Sequence, residues 1–183
     1  MSSNSPPEYT PASLPDAETL YQSLLAAVRR MLQDLPRQAV RLVGIHSGGA
    51  WLAERLQRDL DLPGRPGTLD ISFYRDDFDR IGLHSQVQPS DIPFDVADAH
   101  LVLVDDVLYT GRTIRAAMNE LFDYGRPASI RLAVLLDRGG RELPIAAGAV
   151  GARVVPAPQG SLVLSRREDG GFELALEKEN EDE

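Results

Sequence analysis

Residues 101–120 read LVLVDDVLYTGRTIRAAMNE. The aliphatic run Leu101–Val104, with His100 before it, is almost continuously hydrophobic. That is the pattern of a strand buried on both faces of a parallel sheet. Two acids, Asp105 and Asp106, follow at once, and Thr110-Gly111-Arg112-Thr113 comes four residues later. Beyond Thr113, the residues Ile114, Ala117, Met118, Leu121 and Phe122 fall at i, i+3, i+4, i+7 and i+8, one face of an amphipathic helix that Gly125 stops. The stretch therefore spells buried strand, polar loop, helix, the repeating unit of an α/β fold.

The loop has definite chemistry. The amides of Thr110 to Thr113 precede a helix and are orphan donors at its positive end. Thr110 and Thr113 add hydroxyls, Gly111 lets backbone approach a ligand closely, and Arg112 adds a cation. This is a cradle for phosphate. It has neither the GxxxxGK[ST] of a Walker loop nor the GxGxxG of a dinucleotide fold. A pyrophosphate laid against Asp105 and Asp106 would be repelled. A sugar monophosphate would not, because its hydroxyls reach the carboxylates while its phosphate sits at residues 110–113. The two acids also suit a magnesium ion held through water. Taken alone, paired aspartates at a strand end are commonly turn formers, and TGRT a plain helix cap. Between an aliphatic strand and an amphipathic helix, the combination favours a ribose-phosphate site.

Working outward, residues 16–35 carry Leu20, Leu24, Ala27, Val28, Met31 and Leu35 at helical spacing, with Asp16 as N-cap and Pro36 as the stop. Arg41–Ile45 reads as a strand running into His46-Ser47-Gly48-Gly49, then a helix with Leu52, Leu56 and Leu60 on one face. Residues 68–74 alternate as a strand. Residues 75–98 show no sustained period and read as a flexible loop or flap, with a long hairpin as the alternative. Ser129–Leu136 is another buried strand, ending in Asp137-Arg138-Gly139-Gly140-Arg141, and short strands follow at 149–155, 161–164 and 171–176. The order predicts a mainly parallel sheet flanked by helices. Ligands of such sheets bind at the carboxyl ends of the strands, so HSGG, DDVLYTGRT and DRGGRELP should converge on one site.

Composition sets the outer bounds. The chain has 183 residues, enough for one domain, with Ser- and Pro-rich residues 1–14 predicted as a disordered tail and 178–183 as an acidic one. It has no cysteine, which excludes disulfides and thiolate metal sites. The net charge of −9 argues against a strong global attraction to nucleic acid or anionic lipid. No apolar run has membrane-spanning length and the N-terminus has no secretory pattern, so a cytoplasmic location is expected. His46, His84 and His100 share no metal-ligand spacing.

VLVDDVLYTGRT resembles the phosphoribosyl pyrophosphate (PRPP) motif of type I phosphoribosyltransferases. Together with VGIHSGG, DISFYRDDF and IRLAVLLDRGGRELPI, it is identified more narrowly with the PyrR family, over roughly residues 16–176. The resemblance implies a type I phosphoribosyltransferase fold over residues 15–177 with a small C-terminal hood, mainly 140–176. It implies the reaction of uracil with PRPP, giving UMP and pyrophosphate, with Mg²⁺ accompanying PRPP. By the same resemblance Asp105 and Asp106 take the ribose hydroxyls, and Thr110, Gly111, Arg112 and Thr113 take the 5′-phosphate. Ser47, Gly48 and Gly49 offer amides to pyrophosphate, Arg75 in the loop meets the leaving group, and Asp137 and Arg138 lie at the base. A homodimer or higher homo-oligomer is implied as well.

The family's second activity is regulation of pyrimidine biosynthetic genes by binding leader mRNA in response to UMP. The basic face this requires is thin here: the first helix offers Arg29 and Arg30, which are equally read as a solvated helix face. A phosphoribosyltransferase for another base is a further alternative, against which DRGGRELP favours the PyrR branch.

Overall fold

The computed structural model describes residues 5–71 and 89–177. Strand β4 (His100–Leu108) is central, hydrogen-bonded in parallel to β2 (Val40–Ile45) on one side and β5 (Ser129–Asp137) on the other. The sheet continues to β3 (Gly67–Leu69) beyond β2, and to β6 (Ala149–Val154) and β1 (Glu8–Tyr9) beyond β5, giving six parallel strands in the order β1-β6-β5-β4-β2-β3. A separate antiparallel hairpin, β7 (Ser161–Arg166) and β8 (Phe172–Glu177), follows.

Period-2 alternation sorts the core into two layers. Leu42, Val102, Val104, Ala133 and Leu135 face the layer shared with α1 (Ala17–Met31) and α2 (Gly48–Asp59). Val43, Leu101, Leu103, Leu132 and Val134 face α3 (Arg112–Tyr124) and residues 96–99. Removing one such leucine to alanine costs about 2–5 kcal/mol. From β2 the chain moves through α2 to β3, and from β4 through α3 to β5, in opposite directions across the sheet. The two helices accordingly lie on opposite faces, as right-handed crossovers require. The gap between the ends of β2 and β4 is thus the topological switch point, where α/β sheets bind ligands.

Several boundaries differ from the sequence expectation, among them the strand expected over 68–74, which is β3 at Gly67–Leu69, with 72–74 outside the described residues. Residues 5–14 of the expected tail are placed: β1 pairs with β6, with the Arg153 amide donating to Pro7 O at 2.8 Å and the Val155 amide to Tyr9 O at 2.9 Å. Backbone pairing at a sheet edge overrides a disorder-prone composition. Helix α1 is capped by Asp16, which accepts from the Thr19 amide, but it ends at Met31, whose carbonyl accepts from the Arg131 guanidinium of β5. Strand β6, within the stretch expected to form the hood, joins the main sheet, leaving the β7–β8 hairpin outside it, with Leu162, Leu164 and Phe172 reaching the α1/α2 layer. Residues 89–98 of the expected flap pack on the body: Asp91 bridges Thr68 and Val96 is buried. Residues 75–88 of that flap lie outside the described residues, as does the acidic tail.

Candidate active site

Strand β4 does not end at its aliphatic run. It pairs with β5 in register through Asp105↔Val134, Val107↔Leu136 and Leu108↔Asp137, so the two acids are strand residues. Strand alternation turns their side chains to opposite sides. Asp106 points toward the start of α2, where a Cβ built on Gly48 would stand 2.5 Å from Asp106 Oδ2. Asp105 is buried, at 4% exposure. Each carboxylate accepts the next amide along the chain: Asp106 N donates to Asp105 Oδ1 and Val107 N to Asp106 Oδ1, both at 2.9 Å.

Both acids line a cavity of about 750 Å³ at the carboxyl ends of β2 and β4. Its other walls are His46, Ser47 and Gly48, the whole loop 107–114, Arg138, Glu142 and Ser161–Leu164 of the hairpin. Of the three segments expected to converge, DDVLYTGRT does so fully and HSGG does so through His46, Ser47 and Gly48. The third contributes Arg138 and Glu142.

The loop expected to cradle phosphate leads into α3. Gly111 caps α3 with φ +95°, a backbone conformation that side-chain-bearing residues rarely adopt. The Arg112 amide donates to Thr110 Oγ1 at 3.2 Å. Three successive carbonyls, those of Leu108, Tyr109 and Thr110, are occupied from behind. Arg138 N donates to Leu108 O at 3.0 Å, Arg141 Nη1 to Tyr109 O at 2.6 Å, and Glu142 N and Leu143 N to Thr110 O at 3.0 and 3.1 Å. Carbonyl dipoles, which would repel an anion, are thereby tied to residues 138–143.

Ser47 and Gly48 line the cavity, with the His46–Ser47 peptide in the cis form. Gly49 does not: a Cβ there would stand 2.3 Å from Val104 O, so its part is close packing of α2 on β4. Asp137 is also off the cavity. Its Oδ1 accepts from the Gly139 amide at 3.0 Å and from Arg141 Nη2 at 2.6 Å. Arg138 lines the cavity, with its guanidinium 4.1 Å from the Tyr109 ring and bound to the carbonyls of Pro158 and Gly160. It fastens the approach to the hairpin onto the phosphate loop. Arg75 lies outside the described residues. Sequence reasoning missed Glu142, Tyr109 and the hairpin residues 161–164; the first two stood within motifs already singled out, and nothing local marked the third.

The hairpin is held over the cavity from α1 and α2. Glu18 pairs with Arg55 at 2.7 Å and accepts from the Phe172 amide at 2.8 Å. Arg55 lies 4.1 Å from the Tyr21 ring and 5.2 Å from that of Phe172. Arg166 pairs with Glu54 at 2.8 Å and faces Trp51. The Arg55 hydrogen bond, with the Phe172 amide behind it, holds the Glu18 carboxyl below its usual range against the opposing effect of burial. Among the described residues, no group of three or more His, Asp or Glu is placed to hold a metal, and no helix is long and apolar enough to cross a membrane. Arg29 and Arg30 diverge: Arg29 donates to Asp59 O at the end of α2, while Arg30 borders a groove with Met31 and Arg153.

The profile described as phosphoribosyl transferase domain matches residues 16–157, from the cap of α1 through β6. The fold and its cavity are those of a phosphoribosyltransferase. A hypoxanthine phosphoribosyltransferase from Staphylococcus aureus superposes with a TM-score of 0.61 at 21% identity, covering 80% of this chain and 78% of that one. One from Trypanosoma cruzi does so at 0.61 and 23%, covering 82% and 80%. These carry the architecture alone. In sequence, the bifunctional protein PyrR of Nitrosococcus oceani is 53% identical over 157 residues, 85% of this chain and 88% of that protein. That of Pseudomonas savastanoi pv. phaseolicola is 49% identical over 162 residues, 88% and 95%. The chain belongs to the PyrR family.

Proposed function

We propose that the cavity binds PRPP and uracil, and that the protein transfers the phosphoribosyl group to uracil, giving UMP and pyrophosphate. The observation that carries this is that Asp105, Asp106 and the Gly111-started helix line one cavity. A ribose 5-phosphate spans acids to amides. Asp106, beside Gly48, and Asp105 accept from the ribose hydroxyls. Thr110 to Thr113 hold the 5′-phosphate. Ser47 and Gly48 present the start of α2 to the pyrophosphate. The reaction is a displacement at C1′, in which a uracil nitrogen forms the new bond as the C1′–O bond to pyrophosphate breaks, and the proton of that nitrogen passes to water or to the departing pyrophosphate. Positioning and exclusion of water supply most of the acceleration. The hairpin residues 161–164 roof the cavity, and Arg75 is assigned to the leaving pyrophosphate.

Among the described residues no third acid or histidine joins Asp105 and Asp106, and these two carboxylates would hold a Mg²⁺ that comes with PRPP. Such an ion would supply positive charge to offset that building on pyrophosphate. Incubation with PRPP, Mg²⁺ and each free base, followed by nucleotide analysis, tests the reading; absence of UMP sinks it.

Regulation through leader mRNA is the second activity assigned to the family. Because Arg29 is engaged at α2, its basic face here rests on Arg30 and Arg153 at the shared groove. A salt-sensitive gel shift with leader RNA, strengthened by UMP, tests this. Self-association is supported by exposed Phe122 and Tyr124 on α3, and sedimentation tests it.

A further inference from the structure

Glu142 has a place in the cavity that the transfer reaction does not use. Its amide is fixed to Thr110 O at 3.0 Å, so its Cα stands beside the phosphate loop. Its carboxylate Oε2 accepts from Arg112 Nε at 2.8 Å. Both side chains line the cavity and are about half exposed, Arg112 at 48% and Glu142 at 53%. A carboxylate is therefore held at the guanidinium that a 5′-phosphate would also address.

We propose that Glu142 is a competing anion that tunes the affinity of the loop for phosphate. The inference rests on the phosphoribosyl-binding reading. A phosphate dianion bonds a guanidinium more strongly than one carboxylate oxygen does, so ligand wins the contest. The pair is solvent-exposed and its contribution is correspondingly small, so Glu142 yields without blocking entry. The same contest operates on product, since UMP carries the 5′-phosphate. A site built only to hold phosphate would release UMP slowly. One that returns Arg112 to a built-in carboxylate releases it faster. Glu142 thus exchanges some affinity for turnover.

Glu142→Gln is nearly isosteric and keeps the amide bond to Thr110. The expected result is tighter binding of PRPP and of UMP, by roughly two- to fivefold, in calorimetry. UMP dissociation, followed by stopped flow, slows by a similar factor, while KM for uracil is unchanged. In an Arg112→Gln background the same substitution has a smaller effect. Thermal melting confirms that each variant is folded. Weaker binding in Glu142→Gln shows that the side chain only braces the loop and overturns the proposal, as does unchanged binding. If the wild-type protein binds neither PRPP nor UMP, the parent reading fails and takes this one with it; if it binds both and Glu142→Gln is no tighter, only this inference falls.

Discussion

The close approach of Gly48 to Asp106 makes Gly48→Ala a sharp test. An alanine Cβ at 48 would lie 2.5 Å from Asp106 Oδ2 and 2.9 Å from its Cγ, whereas ordinary contact begins near 3.4 Å. The carboxylate must therefore move by about 0.9 Å, the difference between those distances. The closest contact falls on the end of the Asp106 side chain, which can turn, while its Cβ, 3.0 Å away, must give by a few tenths of an ångström. Misplacing a positioning group by about 1 Å costs on the order of 100-fold, or about 2.7 kcal/mol in the barrier. Folding should suffer little, since alanine favours the first turn of α2 by about 0.5–1 kcal/mol over glycine. The assay is steady-state UMP formation beside a thermal melt. We expect kcat/KM to fall about 100-fold with the melting temperature nearly unchanged. Activity within about threefold of wild type would refute the placement of Asp106 on the ribose. Gly49→Ala is the control: its Cβ meets the Val104 carbonyl at 2.3 Å, backbone that cannot rotate away. That variant should lose about 1–3 kcal/mol of stability.

The double variant Asp105→Asn/Asp106→Asn should lose UMP formation while keeping its circular dichroism and melting profile; PRPP binding equal to wild type would remove the ribose role. Because the Glu18 carboxyl is held below its ordinary value of 4.5, its contribution is complete above that value and fades as pH falls through the lower folded one. The melting advantage of wild type over Glu18→Gln should be constant near neutrality and shrink in acid, and a difference that persists undiminished at low pH would contradict this. Arg138→Met removes the bonds to the Pro158 and Gly160 carbonyls, so limited proteolysis should cut residues 155–160 faster than in wild type; an unchanged rate would show that Arg138 does not fasten this segment.

The central strand and the phosphate loop were legible because their physics is local. An aliphatic run marks double burial, and a glycine before an amphipathic helix marks a helix start. What was illegible depends on partners far along the chain. Asp105 and Asp106 look like a strand terminus, yet pairing with β5 carries β4 on through Leu108. Asp137 stands where a base-reading residue was expected, but its carboxylate is taken by Arg141 and the Gly139 amide. Arg29 and Arg30 are neighbours in sequence and about 100° apart around a helix, and the structure sends them to different places, Arg29 to the end of α2 and Arg30 to a groove with Arg153. The short β1 was hidden because only the β6 edge gives residues 8–9 a reason to be extended.

The brace behind the phosphate loop has a consequence for how the gene can vary. Connections at the ends of strands usually tolerate insertions and deletions. Between β5 and β6 they should not, because Arg138, Arg141, Glu142 and Leu143 address three consecutive carbonyls. One residue more or less would put every donor after it out of step. In a randomised library, length changes within 138–143 should vanish under selection for UMP synthesis, while side-chain changes at Gly139, whose built Cβ meets nothing within 4 Å, are limited only by its positive φ.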